Sequence, residues 1–124
     1  MLNKILLYIG AGLPFFWGVA HLFPTKNVVK DFGDISLDNK RIITMEWVLE
    51  GVALIFIGCV IAAVTYIDQT SLVSKYVYRI CFVFLNVFSV VSLMTGFKID
   101  FIPFKLCPLI FTGSSVLVIL GIYL

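Results

Sequence analysis

Charge is scarce in this chain. Only 13% of its 124 residues are Asp, Glu, Lys or Arg, where a soluble domain carries about a quarter. With 61% hydrophobic residues there is too little polar surface to face water. The net charge is only +2 and the basic residues form no stripe, which excludes a nucleic-acid-binding class. Histidine occurs once, so two-histidine haem ligation and histidine-rich zinc sites are both excluded. The three cysteines, Cys59, Cys81 and Cys107, form no CxxC. A membrane thiol oxidoreductase needs a cysteine pair, so that class is disfavoured. Cys59 and Cys81 lie in apolar runs, where cysteine is usually a small packing residue. There is no phosphate loop and no nucleophile with a visible base, so no reaction is specified.

Long apolar runs dominate what remains. A membrane span needs about 20 apolar residues. The first run, Leu2 to Phe23, meets that length and closes on Pro24. Lys4 ahead of an apolar stretch resembles a signal peptide. Trp17, His21 and the lack of a small-x-small cleavage pattern favour a first transmembrane helix instead. Pro14 removes one backbone N–H from that helix, so a neighbour must satisfy the carbonyl it frees. The remaining spans are expected at about 37–67, 71–97 and 108–124. Ser36 and Asp38 supply capping chemistry for the second. The turn Asp68-Gln69-Thr70-Ser71 is short enough to make spans two and three antiparallel neighbours. Pro108 is expected to open span four, where a missing N–H costs nothing.

The only long polar segment is Pro24 to Arg41. Val28, Val29 and Phe32 interleave with its charges, which fits either a short amphipathic helix at the interface, ending near Gly33, or an irregular loop. The expected fold is therefore all-α. It is a single domain over residues 1–124, an integral membrane four-helix bundle with a short interfacial segment between helices one and two.

Four spans put both termini on one side, flanked by Lys4, Lys75 and Arg79. Lys26, Lys30, Lys40, Arg41, Lys98 and Lys105 flank the other side. The positive-inside rule then places both termini outside and loops one and three in the cytoplasm. The expected location is a bacterial inner membrane.

Ionisable residues at membrane depth need a partner or a purpose. Pro14, Trp17 and His21 share one face of helix one, and Glu46 and Glu50 share one face of helix two at i, i+4. Arg79, Phe82, Asn86 and Ser89 line one face of helix three. At about 1.5 Å per residue, Glu46 and Glu50 lie roughly 6 and 12 Å inside the loop-one surface. On this estimate His21, Glu46, Glu50, Asn86 and Arg79 converge in the loop-one half of the bundle, beside Trp17 and Trp47.

Two readings stay open. In the structural one, Glu50 and Arg79 form a buried ion pair, Asn86 supplies an interhelical hydrogen bond, and the tryptophans are belt aromatics. In the functional one, these seven residues line a pocket with apolar walls and a few polar groups, the usual form of a small-molecule site. Its occupant is expected to be a lipid-like or quinone-like molecule. An enzyme that transfers protons on a hydrophobic substrate, with Glu46 or Glu50 as base and His21 as acid, is the alternative. A structural or assembly partner of another membrane protein, docking through Pro24 to Arg41 or through small-residue faces, is a further one. The sequence specifies no cofactor.

The segments Gly18-Val19-Ala20-His21-Leu22-Phe23-Pro24, Met45-Glu46-Trp47-Val48-Leu49-Glu50-Gly51 and Ile102-Pro103-Phe104-Lys105-Leu106-Cys107-Pro108 resemble those of DoxX-like small membrane proteins. The resemblance implies a four-helix bundle with a polar interior. It also implies association with membrane redox systems, including quinone-linked ones, or a role as an assembly factor. The more distant EXPERA group is similar in design. By that resemblance, Trp17, His21, Glu46, Trp47, Glu50 and Asn86 would line a sterol-sized pocket.

Overall fold

In lipid the backbone must satisfy its own polar groups, so each apolar run closes into a helix. The computed structural model describes all 124 residues. Its elements are α1 (Leu2–Leu22), α2 (Thr25–Asp31), α3 (Leu37–Asp68), α4 (Leu72–Met94), one 3-10 turn (Gly96–Lys98) and α5 (Ile102–Tyr123). Helices α1, α3 and α5, together with the α4 region Leu72–Lys98, are the four long and apolar enough to cross a membrane.

Local chemistry sets the boundaries. Ser36 caps α3 by accepting from the Asn39 N–H at 3.2 Å, and Ser71 caps α4 by accepting from Ser74 at 3.1 Å. Between α3 and α4, the Asp68 carboxylate accepts from the Thr70 N–H at 2.8 Å and its hydroxyl at 2.6 Å. Such a side-chain-closed turn makes the tight reversal. Helix α2 ends where Gly33 takes a φ of 75° and donates to the Lys30 carbonyl. Only glycine adopts that conformation at little cost.

Two boundaries differ from expectation. Helix α4 stops at Met94 rather than near Phe97, because Thr95 leaves helical dihedrals (φ −123°, ψ −79°). Helix α5 begins at Ile102, not at Pro108. Phe101 is extended and Pro103 occupies the first turn, where a missing N–H is free of penalty. Pro108 therefore lies inside the helix, and its carbonyl accepts from the Ser89 hydroxyl of α4 at 3.1 Å.

The long helices form an up-and-down ring in the order α1, α3, α4, α5. Each of α1 and α4 packs extensively on α5, and α1 also packs extensively on α3; the α3–α4 side is the thinnest. The α1–α3 crossing depends on glycine. A Cβ at Gly18 would stand 2.6 Å from the Gly51 carbonyl oxygen, and one at Gly58 would stand 2.6 Å from that of Ala11. Such close backbone approach is what small residues provide in membrane bundles. Gly113, by contrast, faces open space.

The bundle axis is solid and apolar, filled by Leu7, Leu54, Ile61, Tyr78, Leu85, Phe111 and Val118. This corrects the polar interior that the resemblance implies. The polar atoms admitted there are hydroxyls that satisfy one another or a carbonyl. Thr65 pairs with Tyr78 at 2.9 Å, and Ser89 with Thr112 at 2.7 Å. Ser114 donates to the Gly10 carbonyl at 2.6 Å. That carbonyl is the one Pro14 leaves without a helical partner, so α5 supplies the donor that α1 lacks.

Candidate functional site

Helix α1 stops at Leu22, and its end fixes the level of the site. The Thr25 hydroxyl donates to the Leu22 carbonyl at 2.6 Å and closes the last turn. One residue earlier, His21 meets Trp47 of α3 in a reciprocal pair. The Trp47 indole donates to the His21 carbonyl at 2.8 Å, and His21 Nε2 lies 3.0 Å from the Trp47 carbonyl. A carbonyl only accepts, so this contact places the imidazole proton on Nε2. The two rings also stack, with centroids 3.9 Å apart and 17° between planes.

This pairing shows that α3 overshoots α1. From Leu37 to Trp47, about 15 Å of helix stands beyond the end of α1 by the α-helical rise. Glu46 and Glu50 are thus shallower than the sequence estimate, which counted depth from the start of the apolar run. Glu46 is level with the end of α1, and Glu50 lies about one turn deeper. Both are exposed rather than turned into the axis.

They face a cavity of about 1130 Å³ beside the bundle, at its loop-one end. One wall is the protruding part of α3, with Ile42, Ile43, Glu46, Trp47, Leu49 and Glu50. The second is α2, with Pro24, Asn27, Val28, Asp31 and Phe32. The third comes from the α4–α5 connection, with Ile99 and Phe101, from Phe104 in the first turn of α5, and from Phe88 of α4. Phe104 stands edge-on to Trp47 at 6.0 Å and to Phe101 at 5.7 Å, which holds the connection against α3.

The polar lining is one-signed. Asp31, Glu46 and Glu50 line the cavity with the Asn27 amide, and no lysine or arginine does. A concave site of one sign on apolar walls concentrates its field and favours cations or hydrogen-bond donors. Glu50 Oε2 lies 3.6 Å from His21 Nε2, too long for a hydrogen bond. The imidazole itself is nearly buried behind Trp47 and does not line the cavity.

Of the seven residues singled out, the structure brings together His21, Glu46, Trp47 and Glu50. Trp17 lies one turn further into α1, where its indole N–H contacts Cys107 Sγ at 3.3 Å outside the cavity. Arg79 does not reach Glu50. It sits at the opposite end of the bundle, 3.4 Å from the Tyr123 hydroxyl, with its guanidinium 5.8 Å from the Tyr76 ring centroid. Arg79 lies near the start of α4, more than two turns before Phe88 reaches the site, and finds aromatic partners at its own level, so the expected ion pair is absent. Asn86 also stays apart, its amide donating to the Phe82 carbonyl of its own helix at 2.7 Å.

Asn27, Asp31, Phe101 and Phe104 were not anticipated. The α2 residues had a signal. Pro24, Asn27, Val28, Asp31 and Phe32 are spaced i, i+3, i+4, i+7, i+8, one helical face, with Lys26 and Lys30 on the other. No protein-family model, curated protein or solved structure matches the chain.

Proposed function

We propose that this membrane bundle binds a lipid-like amphiphile, with its polar end held in the acidic cavity at the membrane surface. The observation that carries the reading is the cavity itself. It is large enough for a lipid-sized molecule, walled by apolar and aromatic side chains, and furnished with three carboxylates and no basic residue. Ionised carboxylates only accept hydrogen bonds, so they suit an amine or hydroxyl headgroup. Among quinone-like molecules the hydroxyl-bearing reduced form fits better than the oxidised form, whose oxygens are acceptors. Proton transfer with His21 as acid is less well supported, because Trp47 covers the ring and its Nε2 proton is engaged by a carbonyl.

The charge distribution gives the proposed orientation. Lys26, Lys30, Lys40, Arg41, Lys98 and Lys105 surround the cavity end, against Lys4, Lys75 and Arg79 at the other. By the positive-inside rule the cavity faces the cytoplasm of a bacterial inner membrane. Reporter fusions check this, and cytoplasmic signal from both termini would reverse it.

Binding is tested in nanodiscs of neutral lipid, with Trp17→Phe leaving Trp47 as the sole fluorescent indole. Hexadecylamine and hexadecanol should shift its emission saturably, with palmitate at least tenfold weaker. Equal binding of palmitate, or no saturable shift with any of the three, contradicts the proposal.

A further inference from the structure

The thin α3–α4 contact leaves a second space. An apolar cleft of about 410 Å³ runs between these helices, and all nine residues lining it are hydrophobic. Ala53, Ile57 and Val60 mark its α3 wall, and Val77, Phe84 and Phe88 its α4 wall. Phe88 also lines the acidic cavity, so the two spaces meet at that ring.

Length and lining define the occupant. The helical rise gives about 10 Å from Ala53 to Val60 along α3 and about 16 Å from Phe88 to Val77 along α4. The longer wall is about half of the roughly 30 Å hydrocarbon core, the depth of one leaflet. Its lining is entirely apolar and it joins the acidic cavity at Phe88, so the cleft suits the hydrocarbon tail of a molecule whose head lies in that cavity. It also opens laterally, toward lipid, because α3 and α4 do not close over it.

We infer that the cavity and the cleft form one bipartite site, in which a single hydrocarbon chain lies between α3 and α4 and reaches the bilayer midplane. The inference rests on the amphiphile reading above. The chain enters sideways from the cytoplasmic leaflet, and its length sets selectivity. Phe88 stands where headgroup and tail meet. The head is restrained by the carboxylates, whereas the tail gains by replacing loose lipid contacts with the fixed walls of the cleft.

The test uses n-alkylamines from butylamine to octadecylamine in the same nanodiscs, read by Trp47 emission. In the unaltered cleft, affinity relative to bilayer partitioning should rise with chain length and level off once the chain spans one leaflet. Ala53→Phe fills the cleft and should weaken hexadecylamine about tenfold while leaving butylamine unchanged. Hexadecylamine carrying a mid-chain diazirine gives a second readout without mutation. Label should fall on Ile57, Cys81 and Phe84 and be displaced by unlabelled amine, while label on Phe16 of the outer α1 face is not displaced. Failure of every amine and of hexadecanol to bind overturns the amphiphile reading itself. Saturable binding that is indifferent to chain length and to Ala53→Phe, with no displaceable label in the cleft, overturns the bipartite site alone.

Discussion

Replacing Ser114 with alanine should destabilise the bundle far more than loss of an ordinary interhelical hydrogen bond. Such bonds in membrane proteins average about 0.6 kcal/mol, because the separated helices find other partners. The Gly10 carbonyl has no such alternative within α1. Pro14 lacks the N–H that would pair with it, and Ser114, fully buried, donates at 2.6 Å. An unsatisfied buried carbonyl costs about 1–3 kcal/mol. Ser114→Ala alone should therefore cost about 2 kcal/mol, near the middle of that range. Pro14→Ala restores an N–H at position 14 and returns the carbonyl to the helix, so in that background the same change should cost only about 0.5 kcal/mol. The double-mutant cycle should yield a coupling of about 1.5 kcal/mol, well above the roughly 0.5 kcal/mol scatter of independent sites. The assay is reversible unfolding in bicelles titrated with SDS, followed by circular dichroism for all four proteins. Equal costs of Ser114→Ala in both backgrounds would refute the reasoning.

Other substitutions probe the same construction. Gly18→Ala places a methyl 2.6 Å from the Gly51 carbonyl oxygen and should cost about 1–3 kcal/mol in the same titration, by pushing α1 off α3. Trp47→Phe keeps an aromatic face for His21 but removes the donor to its carbonyl, so stability should fall by about 1 kcal/mol. The double change Glu46→Gln with Glu50→Gln should weaken hexadecylamine about tenfold, as expected for two partly exposed charges worth up to about 1 kcal/mol each. It should hardly affect hexadecanol, and an equal loss for amine and alcohol would show that charge is not what the site reads. Arg79→Gln should leave alkylamine binding unchanged, because Arg79 stands at the far end of the bundle beside Tyr123.

The helices were legible because their signals are local. Apolar run length gave the spans, Ser36 marked the start of α3, and Gly33 marked the end of α2. The start of α5 was not legible. Pro103 and Pro108 both suit a first turn, and only the packing of α4 and α5, with Ser89 against the Pro108 carbonyl, selects the earlier one. The site was half legible. Glu46 and Glu50 share a face by spacing alone, and His21 ends α1 at the matching side. Their true depth depends on how far α3 overshoots α1, which the Gly18–Gly51 crossing fixes and sequence spacing does not. The same missing information let Arg79 be drawn toward Glu50, when its own level offered Tyr76 and Tyr123. The polar residues expected to converge in the loop-one half of the bundle instead divide. The buried hydroxyls of Thr65, Ser89 and Ser114 each find a partner inside, and the carboxylates of Glu46 and Glu50 stay exposed at the edge.

The most direct test of the account is to extract the protein with its surrounding lipid in polymer nanodiscs, without detergent, and weigh the released complexes by native mass spectrometry. One amphiphile with an amine or hydroxyl headgroup should be enriched over bulk lipid at about one per chain; if it is an amine it should be depleted in the Glu46→Gln, Glu50→Gln double variant, and if it is an alcohol it should be retained. Co-purifying lipid that merely mirrors the bulk membrane, in both the native protein and that variant, would contradict the account.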